Sequence, residues 1–99
     1  MEMSDFMAQA RALQDKVAAA QDLLDKTIVR GIAGNGDVII TMTGKYDLSD
    51  IQISDALLTM DKAKVREMLM GAMQDAKAKA DAAIDKVMGA ATAGIEIPA

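Results

Sequence analysis

Apolar side chains and alanines recur at Met3, Phe6, Ala10, Leu13, Val17, Ala20 and Leu24. These alternating steps of three and four place them on one face of a helix. The spacing predicts a long amphipathic helix over residues 4–25, with Ser4 as its N-cap and Asp5 favourable in the first turn. After Lys26 the pattern changes to β-branched runs, Thr27 to Ile32 and Asp37 to Thr43, separated by Gly34-Asn35-Gly36. Two strands joined by a hairpin turn follow from that chemistry. Gly44-Lys45 supplies a second turn into Tyr46 to Ile53. Within this third strand the apolar positions change parity, from Tyr46 and Leu48 to Ile51 and Ile53. One inserted residue produces that change, so a bulge is expected near Ser49 and Asp50.

Residues 54–60 make a short connection, and Asp61 is a suitable N-cap for a second long helix from Lys62 to about Met88. Its core face gathers Val65, Leu69, Ala72, Met73, Ala76, Ala80, Ala83, Ile84 and Val87. Gly89 is the expected C-cap, and residues 90–99, with Gly94 and Pro98, form an expected flexible tail. The fold class is therefore α+β, with the order α-β-β-β-α and an antiparallel three-stranded sheet, in a single domain spanning residues 1–99.

Composition sharpens this picture in three ways. The apolar fraction is 52% but nineteen of the 99 residues are alanine, with one Phe, one Tyr and no Trp. So few large side chains bury little area, which makes a lone protomer marginal and a homodimer the expected state. The absence of cysteine and histidine removes thiolate metal sites, disulfides and imidazole acid–base chemistry. No catalytic residue, cofactor site, metal site or small-molecule substrate is expected, and the chain reads as a non-enzyme. The N-terminus carries Glu2 and Asp5 without an apolar run, and no stretch is long enough to cross a membrane, so a cytoplasmic protein is expected.

The net charge is −4, so any contact with nucleic acid needs a local basic surface. The best available stripe is Lys64, Lys79 and Lys86, which fall within about 60° of one another beside the apolar face of the second helix. They span roughly 33 Å at 1.5 Å per residue, comparable to one turn of duplex DNA. The residues alone favour a plainer reading, a solvated helix flank with Asp75 and Lys79 paired at i,i+4. Arg11 and Lys16 on the first helix point about 140° apart and cannot form one stripe. Met73 lies on the core face and Met68 and Met70 beside it, which suits core filling and a dimer contact better than a peptide groove. Gly34 to Gly36 joins two strands and does not lead into a helix, so it is a turn, not a phosphate loop.

The run Gly31 to Val38, Thr43-Gly44-Lys45, Ile51 to Leu58 with its Ser54-Asp55-Ala56-Leu57-Leu58 end, the helix span Ala72 to Met88 and the closing Gly94-Ile95-Glu96-Ile97-Pro98 together resemble the YbaB/EbfC family of bacterial nucleoid-associated proteins. Ser54-Asp55 replaces the Asp-Pro often found there in that family. The resemblance implies a tweezer-shaped homodimer that binds double-stranded DNA with little sequence preference and organises the nucleoid. It also implies DNA contacts on both helices, which makes Lys64, Lys79 and Lys86 the leading candidates and Arg11 and Lys16 secondary ones. The competing reading is an acidic dimeric adaptor or small chaperone whose Met- and Ala-rich helix binds another helix.

Overall fold

A computed structural model of the protein describes residues 3–92. Helix α1 (Met3–Lys26) leads into strand β1 (Ile28–Ala33), β2 (Val38–Thr43) and β3 (Leu48–Ile53). A single helical turn, α2 (Asp55–Leu58), then precedes the long helix α3 (Lys62–Thr92). The strands lie in sequence order in one antiparallel sheet. The Gly34–Gly36 turn places Gly34, Asn35 and Gly36 at φ 60°, 57° and 98°. Two glycines and an asparagine are the residues that tolerate this left-handed backbone. In the second ladder Thr41 pairs with Asp50 but Met42 with Leu48, leaving Ser49 as the extra residue. The bulge thus sits where the change of parity in the sequence required it.

α3 crosses one face of the sheet, and the core is the layer between them. Val38, Ile40 and Met42 point inward from β2 and meet Ala72, Ala76 and Ala80. Alanines spaced by four residues make a smooth helix ridge, and opposite it β1 presents Gly31. A Cβ at Gly31 would lie only 2.0 Å from the Ala72 carbonyl oxygen, so the absent side chain fixes how closely helix and sheet approach.

The connection between β3 and α3 is more ordered than its composition suggests. Ser54 Oγ accepts the Leu57 N–H at 3.2 Å and donates to Asp37 Oδ1 at 2.8 Å. This cap holds α2 so that Leu57 is fully buried. Asp61 caps α3 as expected, its Oδ1 accepting the Lys64 N–H at 2.9 Å.

Several boundaries differ from the sequence reading. Ser4 lies inside α1, because the helix already includes Met3. Gly89 lies inside α3, which continues to Thr92. A helical glycine costs only about 1 kcal/mol, and its alanine neighbours favour continuation. Thr92 Oγ1 donates to the Met88 carbonyl at 2.9 Å, one turn back along the helix. Residues 90–92 are therefore helical, not tail, and residues 93–99 lie outside those described. Tyr46 belongs to the turn before β3, at φ 68°. Met73 is exposed instead of facing the core, and Met3 and Phe6 are exposed because α1 extends beyond the sheet. The molecule is accordingly long and narrow, 68 × 25 × 17 Å.

Candidate nucleic-acid interface

The register between α3 and the sheet sets the position of every basic side chain. Gly34 lies against Met68 and Gly31 against Ala72 and Ala76, while Tyr46 at the opposite end reaches Asp81. α3 therefore runs antiparallel to β1, toward the C-terminal end of α1. Beyond the sheet α1 and α3 pack side by side, with Ala20 and Leu24 buried, and form a projecting two-helix arm.

Two sets of contacts fix which side of this arm is which. On the side of β1, Asp75 Oδ2 accepts the Ile32 N–H at 2.9 Å, and Lys79 Nζ donates to the Arg30 carbonyl at 2.7 Å. The two side chains also pair with each other at 3.0 Å. Between them they occupy backbone groups on the outer edge of β1, where another strand could otherwise add. The Ile32 N–H, and after it the Lys79 ammonium, hold the Asp75 carboxyl below its ordinary pKa.

On the side of the β2–β3 turn, Lys45 pairs with Asp25 at 3.1 Å, and the Tyr46 hydroxyl donates to Asp81. The hydrogen bond to Asp81, desolvation and the nearby charges of Asp81 and Asp85 raise the Tyr46 pKa above its ordinary value. Asp25, Asp81 and Asp85 thus gather on this side, and the turn is tied to both helices.

The candidate cations divide between these surroundings. Lys86 stands seven residues after Lys79, within about 20° of it around the helix, and so projects on the β1 side. Lys64 stands on the same flank near the start of α3, about 60° from Lys79. Because α1 runs antiparallel to α3 in the arm, helical geometry directs Lys16 to this side as well, while Arg11 points about 140° away from Lys16. All five are exposed. Among the described residues Lys79 is the one of the five in an ion pair. The i,i+4 pairing of Asp75 and Lys79 was legible in the sequence. Their grip on the edge of β1 was not, since it joins residues 43 and 49 positions apart.

Among the described residues no cluster of carboxylates could hold a metal ion, and no helix is long and apolar enough to cross a membrane. The open face of the sheet has a shallow depression of about 350 Å³ lined by Arg30, Ile39, Thr41, Asp50 and Gln52. It contains no arrangement of base and nucleophile.

Comparison with known proteins agrees with the architecture. Residues 1–95 match the profile of the YbaB/EbfC DNA-binding family. This chain belongs to the YbaB/EbfC DNA-binding family. Nucleoid-associated proteins of Bradyrhizobium diazoefficiens, Rhodopseudomonas palustris and Bordetella avium are similar to it at 38%, 40% and 36% identity. The alignments cover 97%, 97% and 98% of this chain and 94%, 95% and 90% of those proteins. The crystal structure of an uncharacterized protein from Helicobacter pylori has the same fold, with a TM-score of 0.78 at 24% identity, covering 89% of this chain and 94% of that one. The YbaB/EbfC family is a DNA-binding family and is not a family of known enzymes.

Proposed function

We propose that this YbaB/EbfC protein is a homodimer that binds double-stranded DNA with little sequence preference and organises it within the nucleoid of a bacterial cytoplasm. The observation that carries the reading is the division of the arm into two electrostatic sides. Lys16, Lys79 and Lys86 stand toward the β1 side of the arm, with Asp75 paired to Lys79 among them, and Lys64 continues that flank at the other end of α3; Asp25, Asp81 and Asp85 gather at the β2–β3 turn, where Lys45 pairs with Asp25. A protein of net charge −4 can approach phosphates only if its acids are kept away from them. Lysines on a helix flank act as point charges against the phosphate backbone, and no aromatic side chain accompanies them to stack on bases. Lys79 would have to exchange Asp75 and the Arg30 carbonyl for a phosphate, so its contribution is smaller than that of Lys16, Lys64 and Lys86. Arg11 contributes least, because it faces away from the others.

Dimerisation on this reading uses the part of the sheet that α3 leaves bare. Leu48, Ile51 and Ile53 point toward the helix layer with Val38, Ile40 and Met42, yet remain 48%, 43% and 38% exposed. Met70 and Met73 stand on the flank of α3 opposite Lys79 and extend this apolar surface. The open sheet face mixes Arg30, Thr41, Asp50 and Gln52 with its isoleucines, which suits water better.

The test is the affinity of the purified protein for a random duplex of about thirty base pairs at several salt concentrations. The comparison is the triple variant Lys16→Ala, Lys64→Ala, Lys86→Ala, none of which breaks an ion pair among the described residues. The wild type should bind with affinity that falls steeply as salt rises, by a slope of about 0.9 for each phosphate neutralised. The variant should lose affinity and slope together. No binding by the wild type at low salt would overturn the reading. The exposed surface of Met70, Met73 and Ile51 would then favour an adaptor that binds another helix.

A further inference from the structure

Among the described residues Lys79 is the one cation of the α3 flank that is already engaged. The Asp75 carboxylate takes its ammonium at 3.0 Å, and the same oxygen, Oδ2, accepts the Ile32 N–H at 2.9 Å. Lys79 Nζ also donates to the Arg30 carbonyl at 2.7 Å. The position of the acid is the telling feature. Asp75 follows Lys64 by eleven residues and precedes Lys86 by eleven, so it sits midway along the lysine flank, roughly 16 Å from each end at 1.5 Å per residue. Around the helix axis it lies within about 40° of Lys64, Lys79 and Lys86, whereas Asp81 and Asp85 are turned about 120° and 80° away from it. Duplex DNA carries one phosphate per about 3.4 Å of axis on each strand, so a backbone laid along this flank meets the carboxylate together with the lysines.

We infer that Asp75 is an internal competitor for phosphate: it holds Lys79 as a DNA phosphate would, and so limits how tightly the flank binds. The inference rests on the DNA-binding reading above. Three observations support it. The edge of β1 does not need a charge here, because a neutral amide oxygen would also accept the Ile32 N–H; what the carboxylate adds is its hold on Lys79. The Ile32 N–H and the Lys79 ammonium keep the carboxyl below its ordinary pKa, so it is ionised wherever DNA is bound near neutral pH. The pair is also open to exchange, the Lys79 and Asp75 side chains being 47% and 38% exposed. A phosphate can therefore reach the ammonium without any movement of the core.

Exposure also limits the size of the effect. Ion pairs of this kind shift an equilibrium by about 1.4- to 5-fold. That range is the affinity withheld by each arm that engages the duplex. Asp75 is thus a positioning residue that acts through Lys79, and its signature is the number of phosphates neutralised.

The test titrates wild type, Asp75→Asn, and Asp75→Asn combined with Lys79→Ala against a random duplex of about thirty base pairs at several salt concentrations. Asp75→Asn keeps an acceptor for the Ile32 N–H and gives up the charge. It should bind about 1.4- to 5-fold more tightly for each engaged arm, with a salt slope steeper by about 0.9 as Lys79 gains a phosphate. Adding Lys79→Ala should return the slope to its wild-type value. Asp85→Asn makes the same change of net charge on the flank facing the β2–β3 turn and should leave the slope unchanged. Loss of fold lowers affinity, so a gain by Asp75→Asn, with circular dichroism like that of wild type, does not come from damage to the sheet edge. A wild type that binds while Asp75→Asn binds no more tightly, a gain without a change of slope, or an equal change of slope in Asp85→Asn would each overturn the inference alone. Binding by neither wild type nor Asp75→Asn at low salt would be the separate failure of the DNA-binding reading, and the inference would fall with it.

Discussion

Replacing Gly31 by Ala adds one methyl group at the closest approach of helix and sheet. The new Cβ would lie 2.0 Å from the Ala72 carbonyl oxygen, 2.5 Å from the Ala76 nitrogen and 2.6 Å from the Ala76 Cβ. Ordinary contacts between such atoms are about 3.5 Å, so α3 must retreat by roughly 1–1.5 Å. Two of the three obstacles are backbone, and no rotamer change relieves them. Moving the helix opens the layer that contains Val38, Ile40 and Ala76, all at most 1% exposed. Overpacking of this kind costs about 3 kcal/mol, which for a domain of this size lowers the melting temperature by roughly 12–24 °C. Gly71→Ala and Gly89→Ala are the controls. A Cβ at Gly71 meets only Ala33 at 3.8 Å, and one at Gly89 meets nothing within 4 Å. Both positions are helical, so each alanine should stabilise by about 0.5–1 kcal/mol. Thermal melts of the three variants beside wild type make the assay. A Gly31→Ala protein that melts within about 2 °C of wild type would refute the account of the core, since overpacking predicts a far larger change.

Three further outcomes follow from the same structure. Asp75 has a folded pKa below its ordinary 3.8, so its contribution to stability is fully present above that value and is lost as pH falls through the folded pKa. Urea midpoints of wild type and Asp75→Asn should therefore differ at neutral pH and converge as the pH falls below 3.8 and through the folded pKa; a pH-independent difference would show that the carboxylate charge plays no part. Ile40→Asp, at a position only 1% exposed, should unfold the chain by burying an unpaired charge. Ile51→Asp should leave the circular dichroism intact and halve the mass measured by light scattering, and a dimer that survives it would place the partner elsewhere.

The distribution of cations offers a physical account of how an acidic protein can belong to a DNA-binding family. Net charge is an average over the whole surface, while a phosphate senses charges within about one Debye length, ~8–10 Å. On α3, helical geometry turns Lys86 about 140° away from Asp81, which the β2–β3 turn bonds. The turn bonds to both helices, Lys45 to α1 and Tyr46 to α3. The same contacts account for Tyr46 at φ 68°, a backbone conformation costly for a bulky residue unless its surroundings enforce it.

What the sequence determined by itself was everything governed by local periodicity and local hydrogen bonding. The three-four spacing from Met3 to Leu24 specified α1, the β-branched runs specified β1 and β2, the change of parity located the bulge near Ser49 and Asp50, and Asp61 marked the start of α3. The pairing of Asp75 with Lys79 was equally legible, because i,i+4 neighbours meet on any helix. Tertiary structure alone decided which apolar positions find cover. Met3, Phe6 and Met73 carry the same pattern as buried residues but extend past, or beside, the surface that would cover them. It also decided that Leu57 is core and that Asp75 and Lys79 close the edge of β1. Periodicity fixes the direction of a side chain about its own helix axis; only the packing of that helix on its neighbours fixes what lies in that direction.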